Sequence, residues 1–232
     1  IQSLSLDVNL VSEGGAVTLE DEGFELLRAA DAAGAWIIED DYVGEFHYGP
    51  HNPPPLKSMD ATGRVIYVGT FSKSMFPALR LGYVVAPPKL VATFHRIAGA
   101  TMQGAPSSMQ AIMAKFITEG HFPTHIRRMR EVYAERRNTL LAEAARELDG
   151  LLDVQRVETG FHTMGDLPPG LRDTDLAEAA TRAGIATAPL SRFTITPVAR
   201  QAITLGFGAV PPQQIVAGVR ALSLVLRDLV GR

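Results

Sequence analysis

Two textures of hydrophobic and polar positions divide the chain. The first is a set of short, almost wholly apolar runs: Ala35-Trp36-Ile37-Ile38-Glu39, Val65-Ile66-Tyr67-Val68-Gly69 and Leu81-Gly82-Tyr83-Val84-Val85. Runs of that length without polar alternation are how strands buried on both faces of a parallel sheet read. Ahead of them, residues 19–33 carry a helical pattern. Thr18 is placed to cap it, Glu20, Asp21 and Glu22 fill a first turn where acids suit the helix dipole, and Gly34 stops it. The Pro-rich stretch Gly49-Pro50-His51-Asn52-Pro53-Pro54-Pro55 predicts a surface loop.

From Pro88 the texture turns helical, over 88–99, 106–119 and 123–148. The last stretch sets Arg127, Arg128, Arg130, Arg136 and Arg137 against Glu131, Glu135, Glu143 and Glu147, which reads as a solvated helix face. After Gly150, short strands at 152–157, 161–166, 185–188 and 201–207 alternate with helices at 173–183 and 212–229, the pattern of a small α+β domain. The opening residues have weak periodicity, a Gly14-Gly15 break and no Met, and read as part of something longer.

Composition narrows the classes. A chain of 232 residues with 46% hydrophobic content can bury a proper core. A net charge of -3 supplies no basic field, so this chain is not expected to contact nucleic acid by itself. The absence of cysteine excludes disulfides and thiolate metal sites and suits a reducing, cytoplasmic compartment. No run is long and apolar enough to predict a membrane span, and no leader pattern opens the chain.

Candidate chemistry gathers around Lys73, just past the second apolar run. A lysine beside low-dielectric surroundings is drawn toward nucleophilicity. Thr70 and Ser72 place two hydroxyls within three residues of it, and Arg80 follows with a planar fork suited to phosphate oxygens. Glu39-Asp40-Asp41-Tyr42 stands at the carboxyl end of the first run, the edge where open α/β sheets take ligands. A carboxylate there can pair with a protonated pyridine nitrogen and a tyrosine with a ring hydroxyl. The alternatives are a metal site or a solvated strand end. His47 and His51 are spaced i, i+4, but Gly49-Pro50 between them breaks any shared helix face, and no metal site is expected there.

Asp40-Asp41-Tyr42, Gly69-Thr70-Phe71-Ser72-Lys73, Pro77-Ala78-Leu79-Arg80-Leu81-Gly82-Tyr83, Glu119-Gly120-His121-Phe122 and Pro189-Leu190-Ser191-Arg192-Phe193 together closely resemble the fold-type I pyridoxal-phosphate aminotransferases. Within them, the chain resembles the aminotransferase-like domain of MocR-type (GntR-family) transcriptional regulators, over roughly residues 18–230. The resemblance implies an α/β fold: residues 1–122 as part of the cofactor-binding large domain, a connecting helix at 123–150 and a small C-terminal domain at 151–232. It implies pyridoxal 5'-phosphate as cofactor, with Lys73 as Schiff-base lysine, Asp40 on the pyridine nitrogen and Tyr42 near the ring hydroxyl. Arg80, Thr70 and Ser72 would take the phosphate, and Arg192 a substrate carboxylate, with Arg200 as second choice. An amino acid or amine is the implied ligand, and a homodimer the implied assembly. Three readings stay open: a transaminase, the effector-sensing domain of a regulator, or a remnant without cofactor. Relatives bring a ring-stacking aromatic, a phosphate loop and an asparagine from sequence ahead of the matching part; residues 1–17 do not match what is expected before the helix at 19.

Overall fold

The computed structural model describes residues 3–6, 19–50, 53–101, 106–196 and 198–231, with the side chains of residues 3–6, 19–21 and 101 left out of account. Thr18 and His51 lie outside the described residues. The chain divides into two compact units, one of residues 1–45 and 49–124 and the other of 46–48 and 125–232.

The first unit is built on a four-stranded sheet, β1 (Ser3–Leu6), β2 (Trp36–Asp41), β3 (Val65–Thr70) and β4 (Gly82–Val85), in that spatial order. β1, β2 and β3 are parallel and β4 is antiparallel to β3. The reversal follows from the connection: residues 71–81 form one helical turn, α3 (Phe71–Ser74), and a 3-10 turn (Pro77–Leu79), too short for the crossover a parallel return needs. α1 (Leu19–Ala32) ends in a Schellman motif. Gly34, at φ +65°, donates to Asp31 O at 3.1 Å and Ala35 to Ala30 O at 2.9 Å. Leu27 and Ala30 of α1 pack with Ile37, Val65 and Leu56, the last from the short helix α2 (Leu56–Met59) that forms inside the Pro-rich stretch.

The expectation of strands buried on both faces is met on one face only. Ile37 and Val65 are buried, whereas Ile38, Ile66 and Val68 on the opposite face are half-exposed and Val84 is 45% exposed. The remaining helices of this unit are α4 (Pro88–Thr101) and α5 (Ser107–Thr118). Residues 3–6, which showed little periodicity, form β1, the strand that pairs with β2.

The second unit holds most of α6 (His121–Glu147) and an antiparallel sheet, β5 (Asp153–Val154), β6 (His162–Asp166) and β7 (Ala202–Gly206), in that order. α7 (Asp173–Arg182) and α8 (Pro212–Val230) complete it. Its core joins Leu140, Leu148, Leu176, Ile203, Phe207 and Leu222. The strand expected at 185–188 is instead an irregular segment: Thr204 N donates to Ala188 O at 2.9 Å, and only Pro189 and Ile203 form a bridge. The arginines of α6 are not all on a solvated face either. Arg137 is 5% exposed, donates to Val157 O at 3.1 Å and lies 5.0 Å from the Tyr48 ring centroid.

Tyr48 belongs to a three-residue strap, 46–48. Tyr48 N donates to Glu158 O at 2.6 Å, Gly160 N to Phe46 O at 3.1 Å, and the Tyr48 hydroxyl to Gly160 O at 2.8 Å. The fully buried Phe46 ring meets Tyr133 and Phe161 at 5.1 and 5.0 Å.

Candidate functional site

Topology places the candidates of the first unit together. β2 and β3 are parallel neighbours, so their carboxyl ends share one sheet edge, with Asp41 in register with Gly69. Antiparallel β4 begins at that same edge, Gly82 facing Thr70 across the ladder. Asp40 and Tyr42 therefore leave the sheet where Thr70, Ser72 and Lys73 do, and Arg80 re-enters it there.

The three consecutive acids have three different fates, because alternate residues of a strand point to opposite faces. Glu39 accepts the backbone N–H of Leu56 and of Lys57, each at 2.8 Å, and so closes the first turn of α2, whose own N-cap, Pro55, makes no side-chain bond. Burial pushes its carboxyl above the usual range, against the pull of those two N–H groups. Asp41 accepts Gly44 N at 2.6 Å and the Tyr67 hydroxyl at 2.7 Å. Asp40, on the other face, is exposed, and its carboxylate makes no hydrogen bond or ion pair with another described residue. Among the described residues no group of three or more His, Asp or Glu is arranged to hold a metal.

Behind the edge lies a phenol network that the sequence did not announce. Tyr67 and Tyr83 sit on adjacent strands with ring centroids 6.0 Å apart and hydrogen-bonded side chains, and Phe71 packs on Tyr83 at 5.3 Å. Burial, then the hydrogen bond to and charge of Asp41, holds the Tyr67 phenol protonated far above its ordinary range. Tyr83 fits only because its partner across the ladder is glycine: a Cβ on Gly69 would fall 2.3 Å from Tyr83 Cζ. The readable clue was Gly69 ending an otherwise β-branched and aromatic run.

Around Lys73, Thr70 caps α3, its hydroxyl accepting Ser72 N at 3.1 Å and donating to Leu81 O at 3.4 Å. Its one donor is thus already engaged. Ser72 is half-buried in the turn, and Lys73, Tyr42 and Arg80 are exposed, their side chains making no hydrogen bond or ion pair with another described residue. Arg80 is the one non-glycine among the described residues with positive φ, at +53°. A side chain in that left-handed region costs about 1 kcal/mol, and such strain gathers at functional positions.

Arg192 lies in the second unit, exposed, in a 3-10 turn (Leu190–Phe193). The turn is anchored by buried Asp173, which accepts Ser191 N and Ser191 Oγ, both at 2.9 Å. Arg200 is committed elsewhere: its guanidinium grips Asp166 through two bonds, at 2.6 and 3.0 Å.

Residues 13–221 match the family model for aminotransferases of class I and II, and the chain belongs to that family. It is 35% identical over 208 residues to the "Probable rhizopine catabolism regulatory protein MocR" of Rhizobium meliloti, a match covering 90% of this chain and 42% of that protein. Among solved structures, the multiple substrate aminotransferase of Thermococcus profundus superposes with a TM-score of 0.82 at 30% identity, over 91% of this chain and 53% of that one. The α-aminoadipate aminotransferase LysN of Thermus thermophilus, crystallised with N-(5'-phosphopyridoxyl)-L-leucine, does so with a TM-score of 0.81 at 27% identity, over 94% and 56%. The chain thus spans about half the length of these relatives.

The fold is the fold-type I aminotransferase fold and the cofactor of the family is pyridoxal 5'-phosphate. The donor set at the sheet edge suits that molecule: a carboxylate, a phenol, an amine and a guanidinium with no side-chain partner among the described residues, groups complementary to a pyridine nitrogen, a ring hydroxyl, an aldehyde and a phosphate. No helix among the described residues is long and apolar enough to cross a membrane.

Proposed function

We propose that this chain is the pyridoxal-phosphate-binding, amino-acid- or amine-recognising part of an aminotransferase-type protein. One observation carries the reading. Of three adjacent carboxylates, two are consumed by the fold and the third, Asp40, has no partner among the described residues on the edge it shares with Lys73. In this reading Lys73 holds the cofactor covalently through its amine and later carries the proton of the bound ligand. Asp40 pairs with the pyridine nitrogen and keeps it protonated, Tyr42 donates to the ring hydroxyl, and Arg80 takes the phosphate with Ser72. Thr70 contributes chiefly by capping the turn that presents Lys73. Arg192, held by the Asp173 anchor, takes the ligand's carboxylate; Arg200, occupied by Asp166, does not. The cofactor supplies an electron sink for the negative charge left when a proton is removed beside an amino group.

Residues 1–122 would then belong to the large domain, 123–150 to the connecting helix and 151–232 to the small domain of a cytoplasmic homodimer. A second reading, effector sensing in a MocR-type regulator, is favoured by the regulator relatives, among them TauR of Rhodobacter capsulatus at 35% identity. There the same binding event biases a conformational equilibrium instead of leading to turnover.

The test is titration with pyridoxal phosphate, read as a visible absorption band. We expect saturable binding, loss of the band in Lys73→Ala, and weakened cofactor affinity in Arg80→Gly, which removes the side chain at a position whose left-handed backbone suits glycine. Arg192→Ala should weaken amino-acid binding alone. Equal loss of cofactor affinity in the Arg80 and Arg192 variants would refute this division of roles, and no band at saturation would refute the proposal. Spectral response to amino acids without keto-acid-dependent turnover would select the sensor over the transaminase.

A further inference from the structure

The phenol network behind the sheet edge ends on the bend that carries Tyr42. Asp41 closes β2, and its two carboxylate oxygens take different donors: Oδ1 accepts Gly44 N at 2.6 Å and Oδ2 the Tyr67 hydroxyl at 2.7 Å. The first bond reaches three residues along the chain and so encloses Tyr42 and Val43 in a bend closed by a side chain. The second ties that bend to β3, where Tyr67 stands in register with Glu39, on the same face as Asp41. A phenol has one proton to give. With that of Tyr67 given to Asp41, the hydrogen bond between the two phenols is donated by Tyr83, on β4. The chain of donors therefore runs from β4 through β3 to the end of β2. A glycine makes room at each end of it: a Cβ on Gly44 would fall 2.2 Å from Asp41 Oδ2, as one on Gly69 would press into the Tyr83 ring. Burial, then the hydrogen bond to Asp41 and its charge, keep the Tyr67 phenol protonated, so its donor persists at neutral pH.

Given the role proposed above for Tyr42 at the cofactor's ring hydroxyl, we propose that Asp41 is a positioning residue: bolted to the sheet through Tyr67 and Tyr83, it fixes the bend from which Tyr42 reaches the ring. The Tyr42 side chain makes no hydrogen bond with another described residue, so the backbone of the bend carries its orientation. Asp41, Tyr67 and Tyr83 are all half-buried, where apolar side chains would serve stability alone. A paired polar network at such positions holds one geometry, and loses it when any member is removed.

Two readouts test it: amide exchange without cofactor, and the pH midpoint of the visible band with pyridoxal phosphate bound. Asp41→Asn offers one oxygen and cannot hold both donors as they are now placed, so exchange at Gly44 should quicken by about tenfold. A donor at the ring oxygen stabilises the negative charge left there when the linkage to Lys73 loses its proton, so Tyr42→Phe should raise the midpoint, by about one pH unit. Asp41→Asn should raise it too, and add nothing in the Tyr42→Phe background, because it acts through Tyr42. Tyr67→Phe, which keeps the ring and removes one hydroxyl, should shift it the same way by less. Asp60→Asn, which loosens another turn of the same unit, should lower stability and leave the midpoint unchanged. Equal shifts in the Asp60 variant, additive shifts in the double variant, or an unmoved Gly44 amide in Asp41→Asn would overturn the proposal. No band, or a Tyr42→Phe midpoint identical to the parent's, would refute the role of Tyr42 and this inference with it. A raised Tyr42→Phe midpoint beside an unmoved Asp41→Asn midpoint would refute this inference alone.

Discussion

Substitution of Gly69 by alanine tests the packing behind the site. The added methyl would lie 2.3 Å from Tyr83 Cζ and 2.6 Å from its hydroxyl oxygen, where ordinary contact begins at 3.4 Å. The ring must therefore retreat by 3.4 − 2.3 = 1.1 Å. Phe71 packs against it at 5.3 Å and its hydroxyl is tied to Tyr67, so retreat disturbs both. Overpacking of a filled site costs about 1–3 kcal/mol, and alanine in place of strand glycine returns about 0.5–1 kcal/mol. The expected net loss is about 1 kcal/mol, which at a urea m-value of about 2 kcal/mol/M lowers the midpoint by about 0.5 M. Trp36, the single tryptophan, stands in β2 and reports the unfolding of the first unit by fluorescence. In a Tyr83→Ala background the same substitution should be neutral or stabilising, whereas Tyr83→Phe should preserve the penalty. An equal loss from Gly69→Ala in the Tyr83→Ala background would refute the steric argument.

Two further outcomes follow from buried charges. Asp60 has a fully buried carboxylate that accepts the N–H groups of Thr62, Arg64 and Val65 at 3.2, 3.0 and 2.8 Å. Burial opposes its charge, but those donors prevail and hold its pKa below the ordinary 3.8. A depressed folded pKa means that its contribution is present above pH 3.8 and fades as pH falls through the folded value. Asp60→Asn should thus cost about 1–3 kcal/mol near neutrality, and the gap to the parent should narrow in acid when urea midpoints are compared across pH; a gap that widens would refute it. Arg137→Ala should destabilise the second unit by about 2–4 kcal/mol through loss of the Tyr48 stack and the orphaned Val157 carbonyl. Lysine, lacking the planar fork, should restore less than half of that by far-UV circular dichroism. A change under about 0.5 kcal/mol would put Arg137 back on the surface.

The helices and the three apolar strands were legible because each carries a local cause: amphipathic spacing, an acidic first turn, a glycine in the left-handed region at its end. Gly34 and Gly184 both close Schellman motifs, at φ +65° and +79°. What escaped depends on partners distant in sequence. α2 forms inside a Pro-rich loop because Glu39, 17 residues before Leu56, supplies the cap that Pro55 cannot. Residues 185–188 have strand-like composition, yet meet β7 through only a few bonds and a single bridge. Arg137 matches its neighbours on α6 by charge and differs only because the strap at 46–48 covers it.

At the candidate site the same distinction separates residue types from residue roles. Charge alone cannot rank Glu39, Asp40 and Asp41. Strand alternation sends the first and third to the face packed by α1 and α2, where Glu39 caps a helix and Asp41 receives Gly44 and Tyr67. On the face that receives Asp40, none of the described side chains of β2, β3 and β4 is buried. Val84, in register with Val68 and through it with Asp40, is exposed on that same face. The Asp40 carboxylate makes no hydrogen bond or ion pair with another described residue, at the sheet edge where exposed Lys73 and Arg80, the latter at φ +53°, also lie. That is the position from which the proposed function draws its pairing with the cofactor's ring nitrogen.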